Sequence, residues 1–205
     1  MLSLQTIAPD TLELLKRIAA LPQTQGLRLV GGTALALQYG HRQSIDLDFF
    51  GAVSEDREAL LASLKQLGIL TILNASSKIL QTTLNGIKVD FVDYRYYDWI
   101  DEPLREEEIV LASPKDIAAM KVNAAINRGT KKDFVDIFVL LQHYSLAEIL
   151  AFYRQKYPDY SEYRALLSLT YFEDAETQNM PKLFINNTWD EMKQTIVTAV
   201  KQFQE

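Results

Sequence analysis

The chain of 205 residues contains no cysteine, which excludes disulfides, thiolate metal sites and cysteine catalysis. Histidine is nearly as scarce. With only His41 and His143 present, no site built from several imidazoles can form, so a bound ion must be held by oxygen, which favours Mg²⁺ or Mn²⁺. No apolar run approaches the roughly 18 residues needed to span a bilayer. The first residues carry no basic stretch ahead of an apolar one, so no secretory signal is expected, and the chain reads as cytoplasmic and without a membrane partner. An excess of positive charge is also missing. The net charge of −6 excludes a protein that coats nucleic acid over its whole surface.

The composition that remains is that of an ordered protein, 48% apolar and 23% charged. Its charge is uneven. Asp98, Asp101, Glu102, Glu106, Glu107 and Glu108 face a single base, Arg105, whereas Lys115, Lys121, Arg128, Lys131 and Lys132 face a single acid, Asp116. A local basic patch in an acidic chain suits a ligand carrying phosphate; two solvated faces of opposite sign fit the same pattern.

Helix signals begin near Asp10, where Asp10 and Glu13 make a D-x-x-E start, and end before Pro22. Leu27–Val30 reads as a short strand running into Gly31-Gly32, and Thr33–Tyr39 as a helix closed by Gly40. Ile45–Phe50 alternates acid with apolar residues as a strand does, and Ser54 is placed to cap a helix reaching Leu67. Strands at Lys78–Leu84 and Ile87–Tyr94 flank Asn85-Gly86, the strongest short hairpin signal. From Ser113-Pro114 onward the chain turns helical. Helices are expected from Pro114 to Gly129, over 132–143, over 146–156 from a Ser145/Glu148 capping box, over 161–172, and over 189–203 from a Thr188/Glu191 box. The fold class is therefore α+β: a mixed sheet with flanking helices, then a helical C-terminal half.

The chemistry centres on Asp46-Leu47-Asp48. On a strand, alternate residues share a face, so the two carboxylates point one way while Leu47 and Phe49 point into the core. Like charges held side by side repel, and an ion between them relieves the repulsion. Alone, the pair would serve equally as a solvated strand face. Gly31-Gly32-Thr33 follows a strand and opens a helix, where small residues let backbone N–H groups approach phosphate oxygens. A third acid, Asp90, lies on the face opposite Ile87, Val89 and Phe91, and could complete a three-carboxylate, two-metal site; Asp93 has the wrong parity. On the helix from Pro114, Lys121 and Arg128 are seven residues apart and share a face, from which long cations can reach an anion. Asp133 and Asp136 could steer either cation, and the same four residues could equally form an interhelical salt bridge with no ligand. His41 reads as a solvated loop residue. Tyr94, Tyr96, Tyr97 and Trp99, and the later Tyr153, Tyr157, Tyr160 and Tyr163, read as packing residues.

These residues resemble the polymerase-β-type nucleotidyltransferase superfamily, and within it the AbiEii/AbiGii toxin branch. Two stretches carry the resemblance: Val30-Gly-Gly-Thr-Ala-Leu-Ala-Leu with His41-Arg42-Gln-Ser44-Ile-Asp46-Leu-Asp48-Phe-Phe50, and Lys115-Asp-Ile-Ala-Ala-Met-Lys121 with Arg128 and Lys132-Asp133-Phe-Val-Asp136-Ile. Together they span about residues 27–140. The resemblance implies a core over 1–110 and a helical region over 111–205 that packs on it and completes the active site. It also implies transfer of a nucleoside monophosphate from a nucleoside triphosphate to an acceptor hydroxyl, with release of pyrophosphate. Members of the branch act as toxins paired with an antitoxin, and some modify the 3′ end of tRNA.

Residue by residue, the resemblance gives Gly31, Gly32 and Thr33 to the triphosphate, Asp46 and Asp48 to Mg²⁺ or Mn²⁺, Asp90 to the acceptor-side ion or to the role of base, and Lys121 and Arg128 to nucleotide phosphates. Asp133 or Asp136 would complete the catalytic set, and Arg42 and Ser44 match the family's Arg-x-Ser ahead of the D-x-D. Two other outcomes fit the same sequence. One is a non-catalytic nucleotide-sensing or antitoxin module on a degenerate transferase fold; the other is a transferase acting on a protein or a small molecule.

Overall fold

The structure is a computed structural model that describes residues 1–53 and 56–205. It divides into two compact units, one comprising residues 1–40, 44–98 and 102–112, the other residues 41–43, 99–101 and 113–205.

The first unit carries the sheet. Helix α1 (Pro9–Ala19) starts two residues earlier in register than the D-x-x-E pattern suggests. Pro9 occupies its first turn with φ already set, no side chain caps it, and Thr11, Leu14, Leu15 and Ile18 form the buried stripe. After β1 (Arg28–Leu29), helix α2 (Gly31–Tyr39) begins at the Gly-Gly pair itself and ends on Gly40. Strand β2 (Leu47–Gly51) buries Leu47 and Phe49, each contributing about 2 kcal/mol of hydrophobic burial, and leaves Asp48 half-buried on the other face. Asp46 stands one residue ahead of the strand. Ser54, the expected cap, lies outside the described residues; α3 (Arg57–Leu67) is capped by Asp56, which accepts from the Ala59 N–H at 2.9 Å.

Strand β3 (Leu70–Ala75) precedes β4 (Ile79–Leu84) and β5 (Ile87–Asp93). Asn85 and Gly86 both have positive φ, as a two-residue hairpin turn requires. A last hairpin, β6 (Leu104–Glu106) and β7 (Ile109–Leu111), turns through Glu107. The sheet order is β3-β4-β5-β2-β1-β7-β6. The last glutamates of the acidic run thus form a hairpin turn, and Glu107 pairs with Lys16 at 3.1 Å.

The second unit is helical: α4 (Pro114–Asn127), α5 (Lys131–Leu141), α6 (Leu146–Lys156), α7 (Glu162–Leu169), α8 (Glu173–Glu176) and α9 (Trp189–Gln204). Ser113 caps α4, and both capping boxes form on α6 and α9. The segment 41–43 belongs here through a bridge to Leu183, with Gln43 donating to the Lys182 carbonyl and Phe184 to that of His41, both at 2.8 Å. Lys156 is buried on Asp116 at 2.7 Å beneath the Trp99 ring, and Asp116 also accepts from the Ile100 N–H.

The aromatic residues divide between packing and exposure. Tyr94 packs on Phe50 and Tyr97, Tyr153 and Tyr157 are buried, and Tyr160, though exposed, packs edge-on against Tyr157, whereas Tyr96 and Tyr163 are more exposed and lie outside the core. Among the described residues no single helix is long and apolar enough to cross a membrane.

Candidate active site

The carboxylates of the first unit are arranged by strand pairing. Strands β2 and β5 run parallel with Asp48 directly opposite Asp90, and β4 runs antiparallel to β5 with Gln81 opposite Asp90. Opposed residues share a face, so Asp48, Asp90 and Gln81 form one row across the sheet. Asp90 is buried. Its Oδ2 accepts from Gln81 Nε2 and pairs with Lys88 Nζ, each at 3.0 Å, while its Oδ1 has no hydrogen-bond partner. A buried carboxylate oxygen without a donor is costly, and such orphans concentrate where a ligand is meant to bind. Asp93 instead pairs with Arg95 at 2.9 Å.

The glycine turn lies against this row. Gly31 has φ +68°, and a Cβ there would stand 2.6 Å from Asp48 Oδ2, so only glycine lets the backbone approach the carboxylate. Thr33 is buried; its hydroxyl donates to the Asp46 carbonyl and accepts from the Ser44 hydroxyl at 2.9 Å. Ser44 is anchored in turn through its N–H to the Thr6 carbonyl at 2.8 Å. Thr33 and Ser44 thus fix the backbone that presents Asp46.

The donor set is all oxygen, as Mg²⁺ or Mn²⁺ prefers. Among the described residues no three acids or histidines converge as a ready-made metal cage. Mg²⁺ usually takes one or two carboxylates, with waters and substrate phosphates supplying the rest, and the Asp48–Asp90 row with its open Oδ1 fits that mode. Lys88, whose role strand periodicity does not reveal, sets a positive charge beside the row. Burial lowers its pKa, but the hydrogen bond and charge of Asp90, with Asp48 and Asp46 behind it, outweigh burial and raise it.

The second unit holds a separate buried network. Asp136 accepts from Arg42 Nε at 2.7 Å and Nη2 at 2.8 Å, sits 2.7 Å from His41 Nε2, and pairs with Lys121 at 2.6 Å. Asp133 accepts from Lys121 at 2.9 Å, from Arg128 Nε and Nη2 at 2.8 and 2.9 Å, and from Thr130. Both aspartate side chains are 0% exposed. Burial works against their ionised forms, yet the cations prevail. Lys121 and Arg128 hold Asp133 below the usual carboxylate range, and Arg42 and Lys121 hold Asp136 well below it. Burial likewise opposes the Lys121 charge, and Asp136 and Asp133 overcome it and raise its pKa.

His41 is therefore not a solvated loop residue: it is 1% exposed and bonded into this network, with its Nδ1 unpartnered. Arg128, 56% exposed, is the accessible cation of the group. It lines an open cleft of about 480 Å³ with Asn127, Leu167, Ser168, Tyr171 and Asp174. Another cleft of about 510 Å³, near Tyr144 and Phe203, has no charged side chain in its lining.

The sequence profile of the nucleotidyl transferase AbiEii toxin family, of type IV toxin–antitoxin systems, matches residues 13–99 and 73–205. An uncharacterised protein of Aquifex aeolicus (strain VF5) is 33% identical over 199 residues, covering 94% of this chain and 95% of that one. In fold, the chain is similar to JHP933 from Helicobacter pylori, with a TM-score of 0.53, 20% identity, and 97% and 95% of the two chains covered. It is also similar to a protein of the same organism provisionally named a nucleotidyltransferase, with a TM-score of 0.54, 20% identity, and 96% and 97% covered. The chain belongs to the AbiEii nucleotidyl transferase toxin family and is a nucleotidyltransferase.

Proposed function

We propose that the enzyme moves a nucleoside monophosphate from a nucleoside triphosphate to an acceptor hydroxyl, releasing pyrophosphate, with Mg²⁺ or Mn²⁺ held by Asp46, Asp48 and Asp90. The observation that carries this reading is the register of Asp48 against Asp90 on one face, with a buried, unpartnered oxygen on Asp90 and the Gly31 backbone against Asp48. A bound ion would supply Lewis-acid stabilisation of charge on the phosphate and acceptor oxygens. The chain's own residues do the positioning. Gly31 and Gly32 offer backbone at a helix start to the triphosphate, and Thr33 and Ser44 hold that turn and Asp46 in place.

In the second unit, Arg128 offers its accessible guanidinium to nucleotide phosphates. Lys121, Asp133, Asp136 and Arg42 are closed off from solvent in this arrangement and act as positioning residues around it. Residues 1–110 would then carry the phosphoryl chemistry and 111–205 the supporting cations.

The acceptor in this reading is the 3′ end of a tRNA, and the enzyme is the toxin of a toxin–antitoxin pair. The toxin–antitoxin description of the family supports the pairing, and the acceptor is carried over from the resemblance to a branch of which some members modify the 3′ end of tRNA. The test incubates purified protein with each labelled triphosphate, Mg²⁺ and total tRNA, alongside Asp48→Ala. Label on tRNA from the wild type and none from the variant is expected. Label on protein or small molecules alone would replace the acceptor, and transfer that survives Asp48→Ala would remove the metal assignment.

A further inference from the structure

Lys88 has no part in the reading above, yet it is paired with Asp90, the middle member of the row. Its Nζ lies 3.0 Å from Asp90 Oδ2, on a side chain 42% exposed against 9% for the Asp90 side chain. Asp48 on one strand faces Asp90 on the next, and the charges of Asp48 and of Asp46, just ahead of its strand, both reach Lys88. Asp90 is asymmetrically satisfied. Gln81 and Lys88 share Oδ2, and Oδ1 has no donor. Lys88 thus supplies Asp90 with charge compensation without completing its hydrogen bonding, which is the condition of a carboxylate neutralised but not locked.

We propose that Lys88 is a gating counter-ion: it holds Asp90 in the ion-free enzyme, must give up Asp90 Oδ2 when a divalent ion arrives, and so sets the ion affinity of the site. The proposal rests on the reading of Asp46, Asp48 and Asp90 as metal ligands. The sign follows from charge alone. A lysine ammonium fixed beside the carboxylates repels a divalent cation, and it also competes for an oxygen that the cation needs. A half-exposed ion pair with a merely structural role would contribute little to stability and leave ion affinity unchanged. Lys88 is a positioning residue in this scheme, acting on the ion through Asp90.

The experiment titrates Mn²⁺ alone into the purified full chain, following unbound Mn²⁺ by EPR, for the wild type, Lys88→Met, Lys88→Arg and Asp48→Asn. Removing one positive charge next to the ion should tighten Mn²⁺ binding on the order of tenfold in Lys88→Met, while Lys88→Arg stays near the wild type. In thermal melts, Lys88→Met should start lower than the wild type and gain more from Mn²⁺, because the ion replaces the missing charge. Lys88→Gln serves as a second charge-removing variant should Lys88→Met not fold.

Mn²⁺ binding that disappears in Asp48→Asn but is unchanged or weaker in Lys88→Met overturns the gating role and leaves the metal site standing. Absence of millimolar Mn²⁺ binding in every variant, Lys88→Met included, overturns the metal reading and the gate with it. Tightening that persists when Asp48→Asn is added to Lys88→Met puts the ion elsewhere and overturns both.

Discussion

Gly31→Ala tests whether the approach of the glycine turn to Asp48 serves catalysis. The substitution has two separable effects. At φ +68° an alanine costs roughly 1–2 kcal/mol in the left-handed region. Its Cβ would also fall 2.6 Å from Asp48 Oδ2, well inside ordinary contact. The Asp48 backbone cannot simply retreat, because its carbonyl accepts from the Val30 N–H at 2.8 Å within the sheet. The carboxylate itself must therefore move, by about 1 Å, a misplacement that can cost on the order of 100-fold in rate. Gly26→Ala isolates the backbone effect: Gly26 has φ +86° and nothing within 4 Å of its would-be Cβ. Urea unfolding should show both variants losing roughly 1–2 kcal/mol, with the Gly31 variant at or beyond the upper end. Nucleotidyl transfer and Mn²⁺ binding should fall sharply only in Gly31→Ala. Equal transfer by the two variants would refute the role given to the close approach.

Lys156→Met strands the buried Asp116 carboxylate and should lower stability by about 3–5 kcal/mol in urea unfolding, with Asp116→Asn added to it recovering part of the loss. A loss below about 1 kcal/mol would mean that the hydrogen bonds from Ile100 and Ser113 suffice for Asp116. Arg128→Ala removes two hydrogen bonds from the buried Asp133 but leaves it Lys121 and Thr130, so stability should fall by about 1–3 kcal/mol. Its nucleotide affinity, measured by calorimetry, should fall about tenfold; unchanged affinity would remove Arg128 from the binding role. Asp133 and Asp136 have carboxyl pKa values depressed below the usual 3.8, so the stability they contribute is present above that value and is lost as pH falls through the depressed ones. Each should steepen the decline below pH 3.8 by up to about 1.4 kcal/mol per pH unit. Urea midpoints that stay flat from pH 4 toward pH 2.5 would contradict the paired, ionised state of both.

Local chemistry made much of the fold legible. The capping boxes at Ser145/Glu148 and Thr188/Glu191, the Ser113-Pro114 helix start and the Asn85-Gly86 turn each specify structure within four residues, and each forms as read. The strands that escaped notice lack a local signature. Strand β3 is at the sheet edge with nearly every residue exposed, so it has no alternation to detect. Strands β6 and β7 are three residues each, too short for a period to register, and the glutamates between them look like a solvated run when they are in fact a turn.

The candidate site divides along the same line. Parity placed Asp46, Asp48 and Asp90 on particular faces, but parity cannot say that β2 and β5 are neighbours, and it is the pairing across 42 residues of sequence that sets Asp48 against Asp90. The partners of Asp136 were equally out of reach, since Arg42 lies 94 residues away and His41 sits in a segment with no periodicity. Lys88 is the instructive omission, because its signal was local. Lys88 and Asp90 stand in the same i, i+2 relation as Asp46 and Asp48, so one segment carries two negative charges where the neighbouring strand carries one of each sign. A lysine two residues from an acid on a strand is common and ordinarily means only a surface pair. What gives this one consequence is its place beside Asp90, where its charge is felt by Asp90, Asp48 and Asp46 at once.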